Sequence, residues 1–205
     1  MNKVVLITGC SSGIGRDLSQ RLGLAGHTVI ATARNSGSLT NLDVAEKLSL
    51  DVTQPESITQ AVDVIIQKFG HIDVLVNNAG YAQVGAIEDL KDEQVQQLYE
   101  VNVFGVLRMV RAVLPVMRKQ GSGRIINISS IAGKLVTPVN GAYASSKFAL
   151  EALSDALRLE VESFNVQVIL IEPGAIKINF DQTVHAFGDE ITSNQSSPYY
   201  SLYQK

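Results

Sequence analysis

The chain alternates short, unbroken apolar runs with longer amphipathic ones. VVLIT (4–8), HTVIATA (27–33), KLSL (47–50), IDVLV (72–76), RIINIS (124–129) and VQVILI (166–171) are brief and rich in valine and isoleucine. Nearly continuous runs of this kind mark strands buried on both faces, whereas half-exposed strands alternate. Between them, residues 13–24 carry Ile14, Leu18 and Leu22 at helical spacing, and 55–69, 92–119 and 143–163 also read as helices. Strand, helix, strand, repeated, predicts right-handed crossovers and an α/β fold: a doubly wound parallel sheet of six strands with helices on both faces. After Pro173-Gly174 the pattern stops. The remaining 31 residues read as loop, with a short helix near 179–187 and no further buried strand.

Composition narrows the function classes. A chain of 205 residues fits one large domain. A net charge of −3 leaves no electrostatic footprint for nucleic acid. The most apolar long stretch, 101–117, is broken by Asn102, Arg108 and Arg111, so no membrane span is expected. One cysteine, Cys10, rules out an internal disulfide and suits a reducing compartment; the opening run ends at a glycine turn and reads as a strand, not a signal peptide. A cytoplasmic protein is expected. The three histidines are scattered, and no metal site is predicted.

Candidate chemistry begins at TGCSSGIG (8–15), between the first strand and the first helix. Gly9, Gly13 and Gly15 let backbone approach a pyrophosphate, and Ser11, Ser12 and Ile14 open a helix whose free N–H groups attract anions. The end of the second strand, ATARN, carries Arg34 where a carboxylate would favour the ribose 2′-hydroxyl of NAD. A guanidinium there suits a 2′-phosphate, so NADP(H) is expected over NAD(H); the alternative is a solvated loop arginine. Cys10 is either a small residue tolerated in this loop or a thiol whose modification blocks it.

YASSK (143–147) sets Tyr143 and Lys147 on one helix face. A phenol with a pKa of ~10 must drop by ~3 units, about 4 kcal/mol, to act near neutrality. One ammonium ~4 Å away at an effective dielectric of ~20 supplies about that much. Ser130, thirteen residues before Tyr143 and just past the fifth strand, can donate to a carbonyl oxygen while the tyrosine delivers a proton. Asn102, in an apolar helix, is either a satisfied core amide or one end of a water relay to Lys147.

Taken together, TGCSSGIG, Asp51-Val52, NNAG (77–80), Asn102, Ser130, YASSK and Pro173-Gly174 resemble the short-chain dehydrogenase/reductase family over residues 3 to about 180. ATARN and EPGAIK are similar to its hydroxysteroid and retinol dehydrogenase branch. The resemblance implies a Rossmann-type domain over 1–180 and reversible hydride transfer between NAD(P) and an alcohol or carbonyl. It implies Tyr143 as acid/base, Ser130 as carbonyl polariser, and Lys147 as ribose ligand that lowers the tyrosine pKa. It places Asn102 in the relay. Gly9, Ser11, Ser12, Gly13, Ile14, Gly15, Arg34, Asp51, Val52, Asn77, Ala79, Gly80, Tyr143, Lys147, Pro173, Gly174 and Ile176 would hold the cofactor. Ser129 should turn into the sheet packing.

The sequence departs from the family at Ile178, where a threonine usually holds the nicotinamide carboxamide, and in length. Members continue for about 50–70 residues more, so 181–205 is expected to be an incomplete substrate-covering segment and 166–172 an apolar edge strand. The resemblance also implies a homodimer or homotetramer through helices 92–119 and 143–163, with Phe148, Leu153, Leu157 and Val161 as candidate contacts. Val136, Val139, Ile87, Ala175 and Phe180 suggest a small apolar alcohol or carbonyl substrate. The competing reading is a catalytically impaired dinucleotide-binding regulatory or interaction protein.

Overall fold

A computed structural model describes residues 2–174 and 191–204. The parallel sheet has the order β3-β2-β1-β4-β5-β6, with β1 (Val4–Ile7), β2 (Thr28–Ala33), β3 (Glu46–Ser49), β4 (Val74–Asn77), β5 (Gly123–Ile128) and β6 (Val166–Ile171). The unbroken apolar runs behave as their composition requires: all four residues of β1 are buried, and so are five of the six in β2. Chain progression reverses between β1 and β4. At such a switch point the two following loops diverge and leave a crevice at the carboxyl ends of the strands.

One sheet face is covered by α2 (Pro55–Phe69), α4 (Val106–Gln120) and α5 (Gly141–Glu160). Ile58, Ile65, Met109, Val113, Met117 and Leu150 pack there against Leu6, Leu75 and Ile125. The other face receives α1 (Gly13–Leu24) through Leu18 and Leu22, with Leu39 and Leu42, over Val5, Ile7, Val29 and Val76. The helix expected over 92–119 is divided. α3 (Asp92–Tyr99) runs into a π-helical turn, Glu100–Gly105, before α4 begins. The wider turn re-aims the side chains within it, and π turns often sit at functional sites. Asn102 is one of those side chains.

β6 forms an edge among the described residues: Val166 and Val168 are buried, while Ile171 is 46% exposed. The expected loop after 181 is partly corrected. Residues 191–204 include a short helix, α6 (Tyr200–Tyr203), and dock on the segment after β4. Asp89 Oδ2 accepts from Ser197 Oγ (2.5 Å) and Tyr203 Oη (2.6 Å), Tyr199 Oη donates to Glu88 (2.5 Å), and Ile191 is buried. The helix expected near 179–187 lies outside the described residues.

Leu75 is fully buried in a central strand. Leu75→Ala is expected to cost ~2–5 kcal/mol, read as a lowered urea midpoint with an unchanged denaturant slope.

Candidate active site

The first wall of the crevice is the glycine turn. Gly9 has φ +72° and Gly13 φ +57°, a region that disfavours any side chain. A Cβ on Gly9 would lie 2.8 Å from Ala79 Cα, and one on Gly15 only 2.5 Å from the Gly9 carbonyl oxygen. The turn is held from the β4 side. Thr8 Oγ1 accepts from the amides of Asn78 and Ala79 (3.0 Å each), and Asn78 Nδ2 donates to the carbonyls of Thr8 (2.8 Å) and Gly9 (3.0 Å). Ser12 caps α1 without a side-chain hydrogen bond, and no acidic residue stands in the first turn. The helix therefore presents free N–H groups and an uncompensated positive end to the crevice.

The cleft measures about 2000 Å³ and runs from this turn to α5. Gly9, Ser11, Ser12, Gly13, Ile14, Arg34, Asp51, Val52, Ala79, Gly80, Ser130, Tyr143, Lys147, Pro173 and Gly174 line it. Arg34 makes no ion pair among the described residues. Asp51 Oδ1 is occupied by the amide and hydroxyl of Thr53 (2.9 and 2.8 Å). Gly15 lies behind the turn rather than on the cleft. Ile176 and Ile178 lie outside the described residues, as do Ala175 and Phe180.

Asn77 requires a correction. Its side chain is turned from the cleft into the sheet–helix layer, where Nδ2 donates to Asn127 Oδ1 (2.8 Å) and Asn127 Nδ2 to Ser154 Oγ (2.8 Å). Asn78, one residue on, faces the glycine turn. Strand alternation accounts for the exchange. Cys10 is fully buried, with its thiol pushed up by burial and bonded to Ile7 O and Ser19. Burial suppresses the thiolate, so the reactive-thiol reading fails.

The second wall is built by β5 and α5. Ser130 caps the turn Ile131–Gly133, and its Oγ accepts from the Ala132 amide (3.1 Å). Tyr143 is buried and lines the cleft beside Ser130. Lys147, 6% exposed, donates to the Ile128 carbonyl (2.8 Å), and its Nζ lies 5.7 Å from the Tyr143 ring centroid. Burial raises the phenol above its usual value, with the Ser130 hydrogen bond opposing. Burial also pushes Lys147 down to about 8, opposed by the charge of Glu151. Desolvation penalises the charged form of both partners.

Asn102 is buried and its side-chain amide is satisfied. Its Nδ2 donates to Tyr81 O (2.9 Å) and Ser146 Oγ (3.1 Å), and its Oδ1 accepts from the Tyr81 amide (3.1 Å). Ser146 Oγ in turn donates to the Tyr143 carbonyl (2.7 Å). One serine of YASSK thus ties α5 to the π turn, and Ser145 meets Tyr99 Oη (3.0 Å). Sequence reading missed both serines and Asn78; only the small polar residues within YASSK and the second asparagine of NNAG hinted at them. At the mouth, Ile87, Ile131 and Leu135 line the cleft and are largely exposed. Val136 and Val139 do not line it.

Residues 3–187 match the family model of the short chain dehydrogenase. The chain belongs to this family. A 3-ketodihydrosphingosine reductase of Bacteroides thetaiotaomicron is 45% identical over 178 residues, covering 87% of this chain and 65% of the relative; the chain thus spans less than two thirds of that protein's length. A 3-ketoacyl-(acyl-carrier-protein) reductase of Brucella melitensis, solved with NADH, superposes with a TM-score of 0.85 at 27% identity, over 94% of this chain and 84% of that one. A gluconate 5-dehydrogenase of Burkholderia cenocepacia, solved with NADP and tartrate, gives 0.84 at 27% identity, over 94% and 80%. The glycine turn fits a dinucleotide: side chains are excluded at Gly9 and Gly15, and among the described residues no side chain caps the first N–H groups of α1.

Gly15→Ala forces a Cβ into the Gly9 carbonyl. It is expected to weaken NADPH binding at least tenfold in a fluorescence titration while leaving Cys10 shielded from alkylation.

Proposed function

We propose that the chain is an NADP(H)-dependent oxidoreductase that interconverts an alcohol and a carbonyl, with Tyr143 as general acid/base. The observation that carries this reading is that Ser130, Tyr143 and Lys147 line the same cleft as the glycine turn, with Tyr143 and Lys147 on one helix face. When bound, the nicotinamide cofactor supplies or accepts the hydride. Tyr143 gives its phenolic proton to the carbonyl oxygen in reduction and recovers one from the alcohol in oxidation. The Ser130 hydroxyl donates to the same oxygen and stabilises the charge that develops there. Lys147 stabilises the phenolate by its charge.

Arg34 supports the choice of NADP(H), since no carboxylate stands at the end of β2 to repel a 2′-phosphate. Asn102 acts by shaping the site: it fixes Tyr81 and Ser146, and through Ser146 the first turn of α5. The apolar mouth at Ile87, Ile131 and Leu135 favours an apolar substrate, and a relative that reduces 3-ketodihydrosphingosine is in keeping with that. A homodimer or homotetramer through α4 and α5 is supported by exposed Phe148 and half-buried Leu153 and Leu157. Val161 leaves this set, because it is buried in the core. A cytoplasmic site of action accords with one buried cysteine, and no helix among the described residues is long and apolar enough to cross a membrane.

Arg34→Ala should raise the NADPH Kd about tenfold, ~1.4 kcal/mol, and leave NADH binding within twofold; equal losses for both cofactors would remove Arg34 from the 2′-phosphate. Tyr143→Phe should retain NADPH binding and lose at least 10²-fold in carbonyl reduction, the usual scale of a positioned acid. Undiminished turnover in that variant would refute the acid/base assignment.

A further inference from the structure

Glu151 is a buried charge that the proposed reaction does not use. It stands four residues beyond Lys147 on α5, and is only 5% exposed. Its Oε2 lies 2.8 Å from Lys134 Nζ, which also reaches Glu172 at the end of β6 (3.6 Å). Among the described residues, and apart from that ion pair, neither Glu151 oxygen has a hydrogen-bond partner, and neither has the buried hydroxyl of Ser129. Both groups press on the same point. A Cβ on Gly133 would lie 2.9 Å from Ser129 Oγ and 3.1 Å from Glu151 Oε1. Gly133 closes the turn that Ser130 caps. The carboxylate therefore packs beneath the turn carrying Ser130, while Lys147 on the same helix face grips the Ile128 carbonyl just before it.

Burying a carboxylate is costly unless it is compensated. Lys134 is half exposed and offers part of that compensation. The groups around Lys147 Nζ are otherwise neutral: the Tyr143 ring, the Ile128 carbonyl, and Gly80 with the Asn102 amide behind it. Lys147 forms no ion pair among the described residues. Among the described residues Glu151 is thus the charged group acting on it, and its field opposes the loss of the ammonium proton.

We propose that Glu151 is a positioning residue: clamped to Lys134, its carboxylate braces the Ser129–Lys134 turn that presents Ser130 and serves as counter-charge to Lys147 from one turn further along α5. The role rests on the oxidoreductase reading above. It leaves Tyr143 and Ser130 as the groups that touch substrate.

The test is a pH titration of the full chain with ¹³C-labelled lysine, followed by NMR, with Lys147 assigned from Lys147→Met. Wild type should show a midpoint near 8. Glu151→Gln keeps the shape and removes the charge, so Lys147 should lose its proton at lower pH, by about one unit. Lys134→Met removes a cation from the carboxylate and should move the midpoint upward. This second variant is half exposed and carries the test if Glu151→Gln does not fold. The alkaline limb of carbonyl reduction with NADPH should move downward in Glu151→Gln, because the charged lysine is then lost earlier. A packing role alone would lower the rate at every pH without moving the limb. Midpoints that coincide in wild type and Glu151→Gln, or that fail to rise in Lys134→Met, would overturn the proposal. Failure of wild type to reduce any carbonyl while binding NADPH would strike the oxidoreductase reading instead, and the lysine midpoints would still report on Glu151.

Discussion

Everything in the cleft depends on two neighbouring strands ending at one level and being tied there. β1 and β4 are adjacent only because the strand order reverses between them, and their exits diverge. Thr8 and Asn78 bridge the divergence with hydrogen bonds of 2.8–3.0 Å that run in both directions. With those bonds in place, Gly9 has no room for a side chain against Ala79, and Gly15 has none against Gly9. The close approach of backbone at the turn is a packing consequence of this tie, and glycine is its requirement rather than its cause.

The opposite wall rests on a different balance. Tyr143, Lys147 and Glu151 lie on one face of α5, and all three are buried. Burial opposes charge on Tyr143 and on Lys147. Only the lysine is brought toward neutrality by it, pushed down to about 8. Burial moves the tyrosine the other way, with Ser130 opposing.

Much of this was legible in the sequence because it depends on local rules. Six short β-branched runs became six parallel strands, and the glycine spacing predicted a tight turn into α1. Ser130 was legible because it follows a strand whose end could be read. What failed was long-range or a matter of one residue. Asn77 and Asn78 are chemically identical, and only the register of β4 decides which faces the turn. The π turn at Glu100–Gly105 carries no periodicity signal distinct from the helix around it. Val161 looked like a surface apolar residue of a helix that in fact ends at Glu160, three residues earlier than expected. Residues 191–204 read as loop because their order comes from Asp89 and Glu88, more than 100 positions away. Glu151 looked like an ordinary charged helix residue, since only the packing of Gly133 and Lys134 over it shows its burial.

The most direct test of the whole account is hydrogen exchange of the full chain with and without NADPH. If the β1–β4 tie builds a dinucleotide cradle, NADPH should protect the amides of residues 9–16 and 78–80 together with those of the Ser129–Lys134 turn. The buried strands should be unchanged. Protection that omits residues 9–16, or no protection at saturating NADPH, would contradict it.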